Sequence, residues 1–364
     1  MQNRTNCPVS EDALPGQAKV WQWQQHNFRA MNTAVEVALF GRSVGKTTAV
    51  ERLFRRTEAY MSRFLPDSAL SRFNAWDDSA YTLPRDLFAA IESALWAAYA
   101  TGGLYDPTLL NEMEAAGYDR SFEYVVERSD FRWSAPDAHA DTLHVQRRRT
   151  ASYVDVHLDH VAGTARKPVG LRLDLGGMGK GWTVDRAAEL LMGEGPFLVN
   201  AGGDLYADGQ PGNVRGWAVT IEHPLAHNRW VARLHFTHAA LATSTTMKRR
   251  WSHGGRLHHH LLDPRTGRPT ETDAISVSVL AQRAVLAEVL AKVALLLGVE
   301  AGLEYLTQTE GVEGLIVSAQ GHVLTTPGLA SYLDAIEPAG IDCEGAANQG
   351  AARNHRRINM ELTK

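Results

Sequence analysis

The sequence predicts an α+β fold in a single domain, built from mixed sheets and flanking helices. Runs with alternating apolar residues are interspersed with runs whose apolar residues recur every three to four positions. They follow no strict strand–helix–strand rhythm, which argues against a doubly wound sheet. No internal repeat or interior linker divides the 364 residues, so one domain covers about residues 26–335. Residues 1–25 are polar and carry Pro8 and Pro15, as a flexible arm would; residues 336–364 lose all periodicity, as a disordered tail would.

The elements follow in order. Residues 32–41 alternate, with Val35, Val37 and Leu39 on one face, and predict a strand. Residues 47–64 have helical spacing, with Thr47 or Thr48 as the N-cap. Residues 83–103 form a second helix, stopped by Gly102 and Gly103. Residues 130–173 hold strand-like runs at 143–146 and 153–158, and 170–177 alternates as a strand. A helix starts near Thr183, followed by strands within 197–209 and 216–224. Residues 274–281 predict a strand, 283–298 a strongly amphipathic helix ended by Gly298, and 311–329 a terminal hairpin.

Bulk properties exclude some functions. Hydrophobic residues make up 44% and charged residues 21%, ordinary for a globular protein. A net charge of −4 gives no basic surplus for nucleic acid or an anionic membrane. Two cysteines, Cys7 and Cys343, make no disulfide framework and no CxxC zinc motif. The first residues lack an apolar signal core, Cys7 follows no apolar run, and no stretch of 18 apolar residues could span a bilayer. The expected compartment is the cytoplasm.

Two glycine loops invite a phosphate reading. Residues 40–48 resemble a nucleotide-binding P-loop, but only three residues separate Gly41 from Gly45, where four are needed to wrap a phosphate. No partner strand with a terminal aspartate stands out, so a strand–helix turn is expected. Residues 174–191 carry Gly176, Gly177, Gly179, Lys180 and Gly181 ahead of a helix. They fit neither the P-loop nor the dinucleotide spacing. A helix start free of side chains can meet an anion with its backbone N–H groups, and a plain tight turn remains the alternative.

The order of motifs says more than any one of them. Residues 31–41, 67–74, 103–122, 174–191, 198–209, 241–251 and 259–269 together resemble the ApbE family of flavin transferases, collinearly over roughly residues 28–332. The resemblance implies that family's α+β domain with FAD in a deep cleft, and Mg²⁺ as a second requirement. It implies transfer of FMN from FAD to a Thr or Ser hydroxyl of an acceptor flavoprotein, with release of AMP. The alternative is a non-catalytic FAD-binding protein with a degenerate metal site. The histidine before the "LLDP" segment, His260, takes the place of the catalytic base, as a hydroxyl nucleophile needs. Met31, Phe64, Asp106, Lys180, Trp182, Leu262, Asp263 and Lys292 fall at or beside family FAD contacts. As lone residues, Met31 and Phe64 would equally serve a core, and Asp106 and Asp263 would start turns. His253, His258, His259 and His260 cluster, but lack the spaced third ligand of a zinc site. In residues 243–246 Thr245 replaces a family glycine, which puts that turn's shape in question.

The metal position departs from the family. There an aspartate, a threonine four residues later and a backbone carbonyl, here that of Gly179, hold the ion. In this chain the two side chains are Glu288 and Lys292. Glutamate is a suitable oxygen ligand; an ammonium is a donor only. Three readings stay open: a routine i,i+4 ion pair worth about 0.2–0.5 kcal/mol, a lysine replacing the ion, or a metal bound beside the lysine. Leu286, Val289, Leu290 and Val293 form the expected buried stripe, which leaves 288 and 292 at its edge, facing either solvent or a cleft.

Overall fold

The computed structural model describes residues 21–336 apart from 78, 129–149, 213–214, 227 and 255. The strand expected at 143–146, both cysteines, most of the arm and nearly all of the tail lie outside these residues. β1 (Gln22–Ala30) and β2 (Thr33–Gly41) pair as a hairpin through Met31 and Asn32, with φ of 51° and 55°. A two-residue turn between twisted strands requires this left-handed geometry, which Asn adopts readily and Met does not. β1 carries the sheet back into the stretch expected as an arm. It is an edge strand with one neighbour and few buried residues, so its apolar pattern is weak.

α1 (Lys46–Met61), α2 (Ala69–Asn74), β3 (Tyr81–Thr82), α3 (Arg85–Ala100), α4 (Leu110–Ala115) and α5 (Phe122–Arg128) follow. Gly45, with φ of 85°, caps α1 in place of Thr47 or Thr48, and Lys46 pairs with Glu194 at 2.8 Å. The incomplete P-loop is therefore a strand–helix turn. β4 (His157–Asp159) and β5 (Thr164–Arg166) precede α6 (Gly179–Leu191), β6 (Phe197–Ala201) and β7 (Asp204–Asp208). Then come β8 (Trp217–Glu222), β9 (Trp230–Phe236), β10 (Ala239–Thr245), β11 (Arg250–His253), β12 (Arg256–His259), β13 (Leu262–Asp263), β14 (Arg268–Pro269) and β15 (Ala274–Ala281). The chain closes with α7 (Ala284–Leu297), α8 (Val299–Gln308), β16 (Glu313–Ser318), β17 (Val323–Thr325) and β18 (Leu333–Ile336).

One sheet organises the rest. Its strand order is β1-β2-β6-β7-β10-β15-β16-β17, and each neighbouring pair is antiparallel. Alternate residues point to opposite faces. Val35, Val37, Val199 and Ala201 pack with Phe54 of α1 and Val184 and Leu191 of α6. Leu198, Leu205, Leu315 and Val317 meet Val219, Leu234 and Phe236 of the β18-β9-β8 sheet. With both faces covered, β6 and β15 are buried throughout and their sequences are mostly apolar, interrupted only by Asn200 in β6 and by Ser276 and Ser278 in β15.

Further expectations change. Of the strand-like run at 153–158, Tyr153–Asp155 forms a 3₁₀ helix and only His157 and Leu158 join β4. Residues 170–177 form no strand, although Leu171, Leu173 and Leu175 alternate and are buried against the α3 cluster. The Asn74 side chain replaces the ladder, accepting from Leu173 N–H and donating to Leu173 C=O at 2.8 Å each, while Asp174 N–H donates to Pro107 C=O at 2.7 Å. α6 starts at Gly179 rather than near Thr183, so Lys180 lies in its first turn. Thr245 sits in β10, where no glycine geometry is needed; its hydroxyl donates to Ile275 C=O at 2.7 Å.

α7 is buried on opposite sides. Val285, Val289 and Val293 enter the α3 cluster, while Leu290, Ala291, Ala294 and Leu295 pack on β15 and α8. The N-terminal turn of α6 crosses its start so closely that a Cβ on Gly181 would fall 2.5 Å from Ala284 O and 2.8 Å from Val285 N. Backbone cannot yield as a side-chain tip can. Gly181→Ala is expected to destabilise the protein by about 2–3 kcal/mol by overpacking, measured as a lower urea midpoint at unchanged slope.

Candidate functional site

A cavity of about 1290 Å³ opens where the β1–β2 turn, the end of α1, the 174–180 bend, the β6–β7 turn and α7 converge. Met31, Phe64, Asp106, Gly179, Lys180, His260, Leu262, Glu288 and Lys292 all line it, so the fold gathers nine of the eleven expected positions. Trp182 and Asp263 lie elsewhere. Trp182 is one turn-position past the cavity, buried in the α3 core with Arg186 over its ring. The Asp263 carboxylate holds Arg265 through two oxygens, and its carbonyl accepts from Gly267 N–H at 2.7 Å, which shapes the turn. Asp106 also builds a turn, accepting from the Thr108 N–H and hydroxyl, but does so on the cavity wall.

The innermost feature is a cluster of four charges, the buried carboxylates of Asp204 and Glu288 and the half-buried ammoniums of Lys180 and Lys292. Lys180 bonds both Asp204, at the start of β7, and Glu288 Oε1 at 2.8 Å. Lys292 Nζ lies 3.2 Å from the same Glu288 oxygen. Glu288 Oε2 accepts the Gly181 N–H at 2.8 Å. A carboxylate from α7 thus satisfies the start of α6, where a helix leaves N–H groups unpaired and favours negative charge. The Glu288 side chain is 2% exposed, so the edge of the helical stripe faces the cleft and not solvent. Burial works against its charge, but Lys180, Lys292 and the Gly181 N–H outweigh it and hold its pKa at about 2. Burial raises Asp204 and lowers Lys292, while the two carboxylates outweigh burial at Lys180 and raise it.

Around this cluster, three enclosed polar atoms have no hydrogen-bond partner: Tyr105 Oη, Arg63 Nη2 and His260 Nδ1. Buried polar groups are normally satisfied, so these suit a polar ligand. Burial, and then Glu288, Asp174 and Asp106, push Tyr105 far up, leaving it a neutral donor. Arg63 is held by Asp174 at 3.1 Å and stacks on Phe64 and Tyr118. Burial, then Arg249 and Lys292, drive His260 well below its ordinary pKa, so its imidazole is neutral, with a lowered affinity for a proton. His258 instead stacks on Trp251, and the half-buried His259 bonds Thr270 C=O. The sequence reading missed Asp204, Tyr105 and Arg63. The turn "NAGGD" before Asp204 was the available signal, since paired glycines bring backbone and carboxylate close to a neighbour.

The donor set does not fit a divalent cation. Both Glu288 oxygens are engaged, two ammoniums face the position, and the described residues hold no group of three His, Cys, Asp or Glu able to bind a metal. No helix among the described residues is long and apolar enough to cross a membrane.

Comparison with known proteins gives a consistent picture. The ApbE family model matches residues 31–316. An FAD:protein FMN transferase of Treponema pallidum is 29% identical over 306 residues, 78% of this chain and 80% of that protein. One from Vibrio cholerae is 27% identical over 261 residues, 70% and 74% of the two chains. Among solved structures, the ApbE protein of Thermotoga maritima superposes with a TM-score of 0.73 at 21% identity, covering 85% of this chain and 99% of that one. The flavin transferase ApbE from Vibrio cholerae gives 0.69 at 22%, covering 86% and 100%.

Removing one partner from a buried ion cluster leaves a charge uncompensated. Lys180→Met is expected to cost about 3 kcal/mol in urea unfolding, and Lys180→Met with Asp204→Asn to recover at least half of it. A second expectation concerns acid. Burial lowers His259 to about 4, so below pH 6.5 the unfolded chain binds a proton that the folded one refuses. Between pH 6.5 and 4 the wild type should lose up to about 1.4 kcal/mol per pH unit relative to His259→Gln, seen as diverging unfolding midpoints.

Proposed function

The chain belongs to the ApbE family, and on that footing we propose how it acts as an FAD:protein FMN transferase. The cavity exceeds the ~300–1,000 Å³ of common small-molecule pockets, which leaves room for a dinucleotide and an entering segment of the acceptor. Met31, Phe64 and Leu262 offer an apolar wall for the flavin ring. Lys180, Lys292 and the Tyr105 hydroxyl offer cations and a donor for the diphosphate.

In the step we propose, a Thr or Ser hydroxyl of the acceptor flavoprotein attacks the phosphorus of the FMN half. A new oxygen–phosphorus bond forms, the bond from that phosphorus to the bridging oxygen breaks, and AMP departs with that oxygen. The hydroxyl proton passes to a ring nitrogen of His260. Anionic oxygens on phosphorus gain charge relative to their surroundings during this exchange, and fixed cations stabilise them. The family resemblance also brings Mg²⁺; the donor set above does not fit it, and no step here runs through an ion. The observation that carries the reading is a neutral histidine with an open nitrogen in the same cavity as two half-buried ammoniums.

His260→Ala should bind FAD within about threefold of wild type yet lose roughly 10²–10⁴-fold in acceptor labelling, the usual contribution of general-base catalysis. Flavin fluorescence titration and AMP release measure the two. Lost binding with unaltered turnover per bound flavin would instead make His260 a ligand contact.

A further inference from the structure

We propose that Lys292 supplies the positive charge that a divalent ion would otherwise bring to the diphosphate, so that this chain binds FAD without a metal. The inference rests on the flavin reading above. The ammonium is built in: it lies 3.2 Å from Glu288 Oε1 and 3.4 Å from Glu288 C=O, on a side chain that lines the cavity. Its Cε reaches to 3.8 Å from the place a Gly177 Cβ would take, so it bridges α7 and the glycine bend.

Charge balance supports this placement. Lys180 and Lys292 offset Asp204 and Glu288, so the cluster is neutral before a ligand enters. A dication at Glu288 would meet two ammoniums and no free carboxylate oxygen. A diphosphate meets the reverse: two cations whose protein partners are shared, with Lys180 and Lys292 converging on one Glu288 oxygen. An ammonium lacks the acceptor lone pairs needed to coordinate a metal but has three N–H donors for phosphoryl oxygens. A routine surface pair is excluded by the burial of Glu288 and by the cavity on its open side.

The test is an FAD titration of the purified chain, by calorimetry and by flavin fluorescence, in EDTA and in millimolar MgCl₂. Wild type should bind equally in both, within about threefold. Lys292→Thr should weaken binding in EDTA at least tenfold and become responsive to Mg²⁺, whereas Lys292→Arg should stay near wild type. Wild-type binding that requires Mg²⁺, or Lys292→Thr binding as tightly as wild type in EDTA, overturns the inference and leaves the transferase reading intact. Absence of FAD binding in either buffer overturns both. The wild-type comparison decides the matter even if a variant fails to fold.

Discussion

Two buried carboxylates and two half-buried ammoniums at the meeting of α6, β7 and α7 constrain everything around them. Charges taken out of water are tolerated only when paired and hydrogen-bonded. That requirement fixes how near the elements come. The Gly181 N–H must reach Glu288, which draws the first turn of α6 against the start of α7 until no Cβ fits between them. Asp185, further along α6, accepts from Ala284 and Val285 N–H at 2.6 and 3.2 Å, so each helix supplies carboxylates to the other's start. This reciprocal capping positions the charges far more firmly than one ion pair could.

The sequence disclosed most where tertiary context added little. Residues 274–281 and the helix after them are apolar enough that any fold must bury them, and the structure places both within a residue of expectation. Where side chains stand in for backbone, the pattern misleads. Leu171, Leu173 and Leu175 alternate as a strand does, yet the partner of that backbone is the amide of Asn74, nearly a hundred residues earlier, which no local period reveals. Edge strand β1 shows the opposite failure, real pairing with a faint pattern. Among site residues, collinear motifs located the wall of the cavity, but they could not separate lining from support. Trp182 and Asp263 neighbour true lining residues in sequence and turn away from the cavity in space. Glu288 could be read as helix edge; only the crossing of α6 decides that its edge is the cleft.

The glycine bend illustrates how a familiar device can be put to a different use. A helix start rich in glycine suggests backbone N–H groups cradling a phosphate. Here Gly179 N–H closes on Leu175 C=O, and Gly181 N–H is taken by Glu288. These two donors are committed within the protein. What the bend contributes is access: with no side chain at Gly177 or Gly179, Tyr105, Met31 and the Lys292 stem approach it within about 4 Å of where a Cβ would sit. On the proposed function, recognition of the anion is transferred in part from backbone dipoles to the Lys180 and Lys292 ammoniums, which carry full charge.

That transfer has a consequence for the histidine. His260, the base of the proposed reaction, is held neutral first by burial and then by Arg249, Lys292 and Lys180, all of which disfavour its protonation. A bound diphosphate brings opposite charge and raises the histidine's proton affinity when ligand is present. The free site thus keeps the imidazole unprotonated but weakly basic, and in the proposed reaction a bound diphosphate would make acceptance more favourable. The orphaned Nδ1 lies enclosed in the same wall. In the proposed reaction, fixed cations and a base whose proton affinity rises with the anion would serve one step together.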